Sequence, residues 1–469
     1  MTELRDAYDV AVVGAGPAGL AAATVCARAG LVTVLFDEQA SPGGQIYRAI
    51  TTSAVKRGTV LGADYWAGAG LTEKFLASGA QYVPGATVWN LTRERELGVS
   101  VAGAARMLNA ERVILATGAL ERPFPIPGWT LPGVMTAGAG QILLKSSGLV
   151  PDGRTVIAGC GPLLWLIAWQ YLNAGARIDA ILETAGAARA AAWRHAPAFA
   201  ASPYFLKGLR LMLAVRRRVR VVSNVVELRA EGRDRVEAIA WRTARGPEGR
   251  LPVDNLFLHQ GVVPNANLAM AAGVDHRWDS VQLCFSPVLD GDGGTAVPGI
   301  SIAGDGAGIA GAEAAAARGM LAGIAAVRAL RPGAPVLADA AATRAWLARF
   351  MRGRAFLDAY YRPSEQFRRP ARDTLVCRCE EVTAGQILDT VALGCTGPNQ
   401  MKAFLRCGMG PCQGRLCGLT VTELIAQARG VAPQEVGYYR LRPPVKPITL
   451  GELASLPKNE AALRSVARG

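Results

Sequence analysis

The sequence predicts an α/β protein with two Rossmann-like dinucleotide-binding units and a small helical domain rich in cysteine. Three observations support this fold class: a glycine-rich turn between a strand and a helix near the N-terminus, a second such pattern over 153–184, and six cysteines within 375–418. The 469 residues, 51% hydrophobic and 19% charged, provide enough material for several globular domains with buried cores.

The net charge of the chain is strongly positive, at +14. This charge fits an acidic partner, an anionic cofactor, a membrane surface or an Arg-rich solvated surface. Nucleic acid is not expected, because the basic residues are dispersed and no recognition motif occurs. We expect no signal peptide. We also expect no transmembrane segment, because Glu313 and Arg318 interrupt the longest apolar stretch. The predicted location is cytoplasmic, or peripheral at the inner membrane. In a reducing compartment, cysteines are expected to be free thiols or metal ligands rather than disulfides.

The first nucleotide site follows a short apolar strand over 10–13. The turn carries the fingerprint residues Gly14, Gly16, Pro17, Ala18 and Gly19. Such glycines permit a tight turn, the approach of a pyrophosphate to the backbone, and close packing of helix on strand. The next strand ends in Asp37 and Glu38, and a carboxylate there accepts hydrogen bonds from ribose hydroxyls; the spacing favours Asp37.

Further motifs distinguish this unit from a simple NAD domain. They are Gly44 and Gln45 in "SPGGQIYR", Ala116, Thr117 and Gly118 after a buried strand, and Gly304 and Asp305 after a late strand. The set resembles the flavoprotein superfamily with two dinucleotide domains, which includes thioredoxin-reductase-like enzymes, over residues 8–330. The resemblance implies that all of these residues bind FAD, or another adenine nucleotide, in a discontinuous domain of residues 1–128 and 285–330.

A second Rossmann-like unit is predicted over 129–284. Gly159 and Gly161 match the first two fingerprint glycines, Leu164 replaces the third, and Glu183 ends the next strand as a candidate ribose ligand. The departure at Leu164 leaves two interpretations open: an NAD-type site, or a unit that kept its fold and lost its ligand.

No catalytic residue is predicted. The three histidines occur in no metal-binding or nucleophile pattern, and there is no GxSxG elbow or P-loop. The two nucleotide units also lack a CxxC pair, and their cysteines, Cys26, Cys160 and Cys284, stand in apolar contexts typical of small buried residues. The chain is therefore expected to carry electrons rather than to recognise a substrate.

A helical linker is expected over 331–370, followed by the cysteine region, residues 371–430. Helices are predicted from Thr383, an expected N-cap, to Leu393, from Pro398 to Leu405, and from near Cys412 onward. Four thiolates can hold zinc or an iron–sulfur cluster, and the absence of CxxC knuckles favours the cluster.

The spacing of the cysteines resembles the BFD-like [2Fe-2S] domain, named after bacterioferritin-associated ferredoxin. The resemblance implies the ligands Cys377, Cys379, Cys412 and Cys417, the last two within "GMGPCQGRLC". Cys407 is the rival to Cys417, and Cys395 is expected to be structural.

The complete motif order resembles the α (A) subunits of heteromeric bacterial amino-acid and opine dehydrogenases. This group includes octopine and nopaline oxidases, D-hydroxyproline dehydrogenase and hydrogen cyanide synthase. The resemblance implies a partner β subunit that oxidises the amine with its own FAD, a small third subunit, FMN at a subunit interface, and a quinone or carrier as acceptor. It also implies that the tail, 431–469, contacts another subunit. Alternatives are a self-contained NAD(P)H-dependent flavin/[2Fe-2S] oxidoreductase and an iron–sulfur sensing protein.

Overall fold

The computed structural model describes residues 3–58, 60–186, 189–335 and 338–457. Its strands are β1 (Ala7–Val13), β2 (Thr33–Asp37), β3 (Gln81–Pro84), β4 (Thr87–Leu91), β5 (Glu96–Val101), β6 (Ala104–Leu115), β7 (Ala119–Glu121), β8 (Val134–Thr136), β9 (Thr155–Cys160), β10 (Ala180–Glu183), β11 (Arg220–Val222), β12 (Val225–Glu231), β13 (Ala238–Thr243), β14 (Glu248–Pro252), β15 (Asn255–Gln260), β16 (Val262–Pro264), β17 (His276–Asp279), β18 (Cys284–Pro287), β19 (Ile300–Ile302), β20 (Leu375–Cys377) and β21 (Val382–Thr383).

The α-helices connect and cover these strands. They are α1 (Pro17–Arg28), α2 (Ala63–Trp66), α3 (Gly68–Leu76), α4 (Ala137–Ser147), α5 (Pro162–Asn173), α6 (Arg189–Ala192), α7 (Ala196–Ala200), α8 (Tyr204–Arg216), α9 (Asn267–Ala271), α10 (Ala312–Leu330), α11 (Ala340–Met351), α12 (Arg354–Tyr360), α13 (Glu365–Arg368), α14 (Ala384–Ala392), α15 (Pro398–Leu405), α16 (Gly418–Arg429), α17 (Pro433–Val436) and α18 (Leu450–Ala454).

The first sheet has seven strands in the order β3-β2-β1-β6-β5-β4, and β19 also pairs with β6. Strands β1, β2, β3, β6 and β19 run parallel, whereas β5 and β4 complete the sheet in antiparallel pairs. The inner strands are buried on both faces, which explains their continuous apolar sequences. Because β19 follows β6 only after the whole second unit, the chain leaves this sheet and returns to it.

Helices α1 and α10 lie against one another on this sheet. A side chain at Gly319 would collide with the backbone of Ala18, and one at Gly323 would approach Ala22. The contact therefore depends on small residues on both helices, which bring the two backbones together. The late helix α10 thereby stabilises the helix that follows the first glycine turn.

The second sheet contains five parallel strands in the order β11-β10-β9-β15-β8. An antiparallel three-stranded sheet, β12-β13-β14, packs with it around a shared apolar core. The chain passes from the first sheet to the second after β6 and leaves the second sheet after β15. The short strands at these two points, β7 and β16, pair with each other in antiparallel fashion. The predicted mixed α/β Rossmann-like fold is confirmed in these elements.

The cysteine region contains α14, α15 and α16. The N-cap prediction at Thr383 is correct: its hydroxyl accepts from the N–H of Gln386, and the Gln386 side chain accepts from the N–H of Thr383. Helix α15 spans Pro398–Leu405 as predicted. The third helix begins at Gly418, not near Cys412, because Gln413 and Gly414 adopt left-handed backbone angles that no helix can contain.

The described part of the tail, 431–457, packs on its own chain. The N–H of Val445 donates to the carbonyl of Trp89 in the first sheet (2.9 Å), and Lys446 pairs with Glu38 (2.8 Å). Further along, the N–H of Ala105 donates to the Ser455 hydroxyl (2.8 Å).

Within the described ranges, no single helix is long and apolar enough to cross a membrane. One bent pair, Arg189–Ala200 with Tyr204–Arg216, meets that test only when both parts are counted together.

A buried lysine joins the two nucleotide-type units. The Lys145 ammonium on α4 donates to the carbonyls of Gln45 (3.1 Å) and Ile46 (2.9 Å) and to the side-chain oxygen of Gln141 (2.9 Å). All three of its hydrogens thus have acceptors, two of them in the "GGQIYR" loop. Burial lowers the pKa of Lys145 to about 7, and the positive charge of Arg48 contributes to this lowering.

This shift makes the stability of the fold pH-dependent. Between about pH 7 and the ordinary lysine pKa near 10.5, the unfolded chain binds a proton that the folded chain does not, so the free energy of unfolding rises with pH. We expect Lys145→Met to remove this rise, whereas Lys74→Met on α3, an exposed lysine, leaves it unchanged. Urea unfolding at several pH values measures both; equal slopes for Lys145→Met and wild type would contradict the prediction.

Candidate functional site

The first glycine turn, residues 14–19, has two glycines that the protein needs for its own packing and one that it does not. Gly14 has a φ of +106°, and a side chain there would collide with the carbonyl of Ala116. A side chain at Gly19 would collide with the carbonyl of Gly14. At Gly16 an added Cβ would meet only the Cα of Gly44, 3.9 Å away. The space beside Gly16 is therefore free for a ligand, as a pyrophosphate cradle requires.

The predicted loop and acid residues lie around this turn. Gly43 donates its N–H to the Ala15 carbonyl (2.8 Å), which places Gly44 against Gly16. Asp37 is buried, and its carboxylate accepts from the N–H of Ala15 (2.5 Å) and of Gln39 (2.7 Å). Burial raises the pKa of Asp37, while these two N–H donors oppose the rise.

Glu38 and Gln45 face away from this buried position. Glu38 pairs with Lys446 at the surface, so its carboxylate already has a partner. Gln45 is exposed, and its side-chain oxygen accepts from Arg48 (2.8 Å). Arg48 is buried, and its Nε has no partner among the described residues. An unpaired buried donor close to the carboxylate of Asp37 fits a site that an anionic, hydroxyl-bearing ligand completes.

The strand-end motifs converge on the same place. The N–H of Ala116 donates to Val13 (2.9 Å), and a side chain at Gly304 would lie 2.7 Å from the Cβ of Ala18. Asp305 accepts from the N–H groups of Ala310 (2.9 Å) and Gly311 (3.1 Å) at the start of α10. Apart from Glu38 and Gln45, the structure thus gathers predicted first-site residues around the N-terminus of α1, whose free N–H groups favour a phosphate.

The second glycine turn, residues 159–164, is filled by the protein itself. A side chain at Gly161 would lie 2.9 Å from Nε2 of His259, whose ring occupies the position that is open at Gly16. The other ring nitrogen of His259 bonds Glu121 (2.7 Å). Leu164, the departure from the fingerprint, is fully buried in the core of this unit.

The candidate ribose acid of the second unit is also engaged. Glu183 is 1% exposed, forms an ion pair with Arg189, and accepts from the Ser223 hydroxyl (3.0 Å). The linker closes over the same edge: the Ser364 hydroxyl donates to the Thr184 carbonyl (2.7 Å). In addition, the Tyr361 carbonyl lies 3.5 Å from the Cys160 sulfur in the turn.

Five cysteines of the cysteine region lie in two groups. The thiol trio, Cys377, Cys407 and Cys417, is buried, with its sulfurs within 4.8 Å of one another. In the thiol pair, Cys379 contacts both the thiol and the backbone N–H of Cys412. The four predicted ligands are therefore divided evenly: two lie in the trio with Cys407, and the other two form the pair.

Hydrogen bonds link the three thiols of the trio. The thiols of Cys407 and Cys417 hydrogen-bond to the sulfur of Cys377, which lowers the pKa of Cys377 and raises those of Cys407 and Cys417. A group that stabilises a thiolate in this way suits a cation or a cluster, which binds the deprotonated sulfur. By contrast, burial raises the pKa of Cys26 and of Cys160 to about 12, as expected for inert buried thiols.

Two adjacent tyrosines of the tail cover the cysteine region. The Tyr439 hydroxyl lies 3.4 Å from the Cys407 sulfur and 3.8 Å from that of Cys417. The Tyr438 hydroxyl instead donates to the carbonyl of Gly414 (3.2 Å). Both rings occupy space left by glycines of the "GMGPCQGRLCG" segment.

A short segment after β16 connects the two sites. The Asn265 carbonyl accepts from the Thr117 hydroxyl (3.1 Å), and the Asn265 N–H donates to the carbonyl of Gly118 (3.0 Å). Two residues later, the buried side chain of Asn267 donates to the carbonyl of Gln413 (3.0 Å), next to Cys412. The strand end of the first site and the cysteine loop are therefore linked by the short segment 265–267.

Comparison with known proteins identifies this arrangement. Residues 8–322 match the pyridine nucleotide-disulphide oxidoreductase family, and residues 371–456 match the sarcosine oxidase A3 domain. The A subunit of opine oxidase from Agrobacterium tumefaciens (strain Ach5) is 49% identical over 99% of this chain and 95% of its own length. The chain belongs to the family of opine oxidase A subunits.

More distant relatives extend the same pattern. Hydrogen cyanide synthase subunit HcnB of Pseudomonas aeruginosa is 32% identical over 95% of this chain and 98% of its own length. The solved structure of L-proline dehydrogenase from P. horikoshii has a similar fold, with a TM-score of 0.69 at 20% identity over 95% of this chain and 79% of that one. The family predicted from the motif order is confirmed, and the chain is an oxidoreductase subunit with a dinucleotide-binding fold.

Several residues of these sites have no signal in the sequence. None of them belongs to a motif: they are Tyr439, Arg189 and His259. The residues that Tyr439 and His259 contact are distant in the sequence. The only sequence signal for the contact between the two adjacent tyrosines, Tyr438 and Tyr439, and the cysteine region is the number of glycines in "GMGPCQGRLCG", which leave room for large side chains.

The packing of Tyr439 can be tested with two glycines that share a left-handed backbone. Gly408 (φ +85°) lies directly under the Tyr439 ring, whereas a side chain at Gly430 (φ +65°) would meet no atom within 4 Å. We expect Gly430→Ala to cost about 1–2 kcal/mol of unfolding free energy from backbone strain, and Gly408→Ala to cost more because of the collision. Urea denaturation measures both, and equal costs would show that Tyr439 is not in this position.

Proposed function

We propose that this chain is the electron-transfer subunit of a heteromeric dehydrogenase that oxidises an amino acid or opine at a C–N bond. The names of two matches, the A subunit of opine oxidase and the sarcosine oxidase A3 domain, support this class of substrate. The oxidation itself takes place on a partner β subunit that contains FAD. This division of labour explains why the sequence offers no catalytic residue.

The first nucleotide site is proposed to bind FAD, or another adenine nucleotide. The turn formed by Gly14, Gly16, Pro17, Ala18 and Gly19 would hold the pyrophosphate in the open space beside Gly16, and Asp37 would bind the ribose. The remaining first-site contacts are assigned to Glu38, Gly44, Gln45, Ala116, Thr117, Gly118, Gly304 and Asp305. A bound flavin supplies two-electron oxidation and one-electron release; the protein's part is to hold it at the edge of the sheet.

The cysteine region is proposed to hold a [2Fe-2S] cluster in a BFD-like domain, with Cys377, Cys379, Cys412 and Cys417 as ligands. A cluster supplies one-electron exchange at these thiolates. Cys407 remains the rival ligand, but its sulfur is already the acceptor of the Tyr439 hydroxyl. Zinc is the alternative occupant of such a thiol group.

The single observation that carries the relay proposal is the direct link between the two sites. Asn265 contacts Thr117 and Gly118 of the first site, and Asn267 contacts the cysteine loop at Gln413. Sites joined by one short hydrogen-bonded segment are held at a fixed separation, which favours electron transfer between them.

The alternative, a self-contained NAD(P)H oxidoreductase, requires an open second nucleotide site built from Gly159, Gly161 and Glu183. The His259 ring at Gly161 and the Arg189 ion pair at Glu183 argue against that site.

The proposed partners are the β subunit, a small third subunit, FMN at a subunit interface and a quinone or carrier as acceptor. The tail, 431–469, is proposed as a subunit contact; its residues 458–469 lie outside the described ranges.

Cysteine variants test the cluster. We expect the purified chain to contain about two iron atoms and to absorb visible light as a [2Fe-2S] protein. Cys377→Ser, Cys379→Ser, Cys412→Ser and Cys417→Ser should each lose this absorbance, while Cys407→Ser and the control Cys26→Ser retain it. If Cys407→Ser loses the absorbance and Cys417→Ser retains it, Cys407 is the fourth ligand. If the purified chain contains zinc and no iron, the cluster proposal is wrong.

Reduction experiments test the division of labour. The chain is expressed alone and with the products of neighbouring genes, and visible spectra are recorded before and after NADH, opines or proline analogues are added. We expect bleaching only by an amine, and only when the partner subunit is present. Bleaching of the isolated chain by NADH would overturn the relay proposal and establish the self-contained reductase.

A further inference from the structure

One segment of the second unit concentrates positive charge. Between Glu183 and Glu227 the sequence contains no Asp or Glu. The basic residues of this segment are Arg189, Arg194, Lys207, Arg210, Arg216, Arg217, Arg218 and Arg220. The segment includes α6, α7 and α8, so its charge belongs to a helical surface.

Helix α8 exposes an apolar stripe within this segment. Leu206, Leu209 and Leu213 are 59%, 40% and 45% exposed, and their spacing of three and four places them on one face. Elsewhere on the same helix, Val215 is fully buried in the core of the second unit. The stripe is therefore a surface feature of a firmly packed helix and does not serve the core.

Cations border the stripe. Lys207 pairs with Asp64 (2.6 Å), and Arg216 lies over the ring of Trp165. Arg210 and Arg217, which flank the leucines on the helix surface, form no ion pair with any residue in the described ranges. An apolar stripe bordered by unpaired arginines is typical of helices that lie in the interface of a membrane.

Aromatic residues lie within and beside this basic segment. The Lys207–Asp64 pair ties α8 to α2, next to which an open groove is lined by Arg57, Trp66 and Trp169. In the turn that follows α6, Trp193 is 64% exposed. Tryptophan with arginine favours the headgroup level of a bilayer, where the ring is half-solvated and the cation meets phosphate.

We propose that the exposed face of α8 binds the surface of a membrane that contains anionic phospholipids. The leucines enter the headgroup region, and the arginines contact the lipid phosphates. An anionic lipid surface supplies the negative charge that the segment lacks. The exposed leucines, with tryptophan and arginine nearby, favour lipid over an acidic protein partner. The proposal does not require the cofactors, although a membrane position would suit the lipid-soluble acceptor of the proposed function.

Vesicle sedimentation tests the proposal with the full chain and with the co-expressed complex. We expect binding to phosphatidylcholine vesicles that contain phosphatidylglycerol, little binding to phosphatidylcholine alone, and release by salt. The variant L206E/L209E/L213E should lower binding by roughly tenfold or more, and R210E/R217E should abolish its dependence on phosphatidylglycerol. The matched control is Leu393→Glu, since Leu393 is 77% exposed at the end of α14 in the cysteine region.

Three results would overturn the proposal: no binding to the anionic vesicles, equal binding by the α8 variants, or equal loss in Leu393→Glu. If the leucine variant instead loses its partner subunit on co-purification and wild type ignores vesicles, the face is a protein interface. Urea unfolding of each variant shows whether the fold is intact, and Leu206→Ala alone, a milder change, keeps the test valid if the triple variant unfolds. The iron measurements and NADH reduction experiments that test the proposed function do not depend on whether the chain binds vesicles.

Discussion

Close approach of backbones at the first glycine turn is the constraint on which the rest of the structure depends. Gly14 lies against Ala116, Gly44 against Gly16, and Gly304 against Ala18. These contacts join segments that are far apart in the sequence and leave no room for a side chain at Gly14, Gly44 or Gly304. The parallel sheet can therefore gather its motif residues at one edge only if each of these positions stays without a Cβ.

The same plan has opposite outcomes in the two nucleotide-type units. In the first, the second fingerprint glycine faces open space and a buried arginine has an unpaired nitrogen among the described residues. In the second, a histidine ring and an Arg–Glu ion pair occupy the equivalent positions. A buried acid is costly without a partner, so once Arg189 supplies one, the site no longer needs a ribose to satisfy Glu183. Leu164, which stands in place of the third fingerprint glycine, is buried in the core of this second unit.

Local patterns are enough to predict the Rossmann-like units, the family and the capped helix at Thr383, because each depends on residues adjacent in the sequence. The same patterns place the start of α16 too early, since the left-handed backbone at Gln413 and Gly414 follows from packing under two tyrosines of the tail. The sequence also does not predict which cysteine sulfurs lie close together. Cys407 belongs to the trio and follows a left-handed backbone angle at Arg406, which the spacing of the cysteines does not indicate. His259 and Arg189 escape prediction because their partners lie in other strands and helices.

The tail has a consequence for how the protein is made. Tyr439 follows Cys417 by 22 residues, and its ring closes over the glycines between Cys407 and Cys417. Because synthesis runs from the N-terminus, these sulfurs leave the ribosome before Tyr439 does. In that interval the thiols lack the cover that Tyr439 gives them in the folded chain, where the tail also reaches the first sheet through the Lys446–Glu38 ion pair.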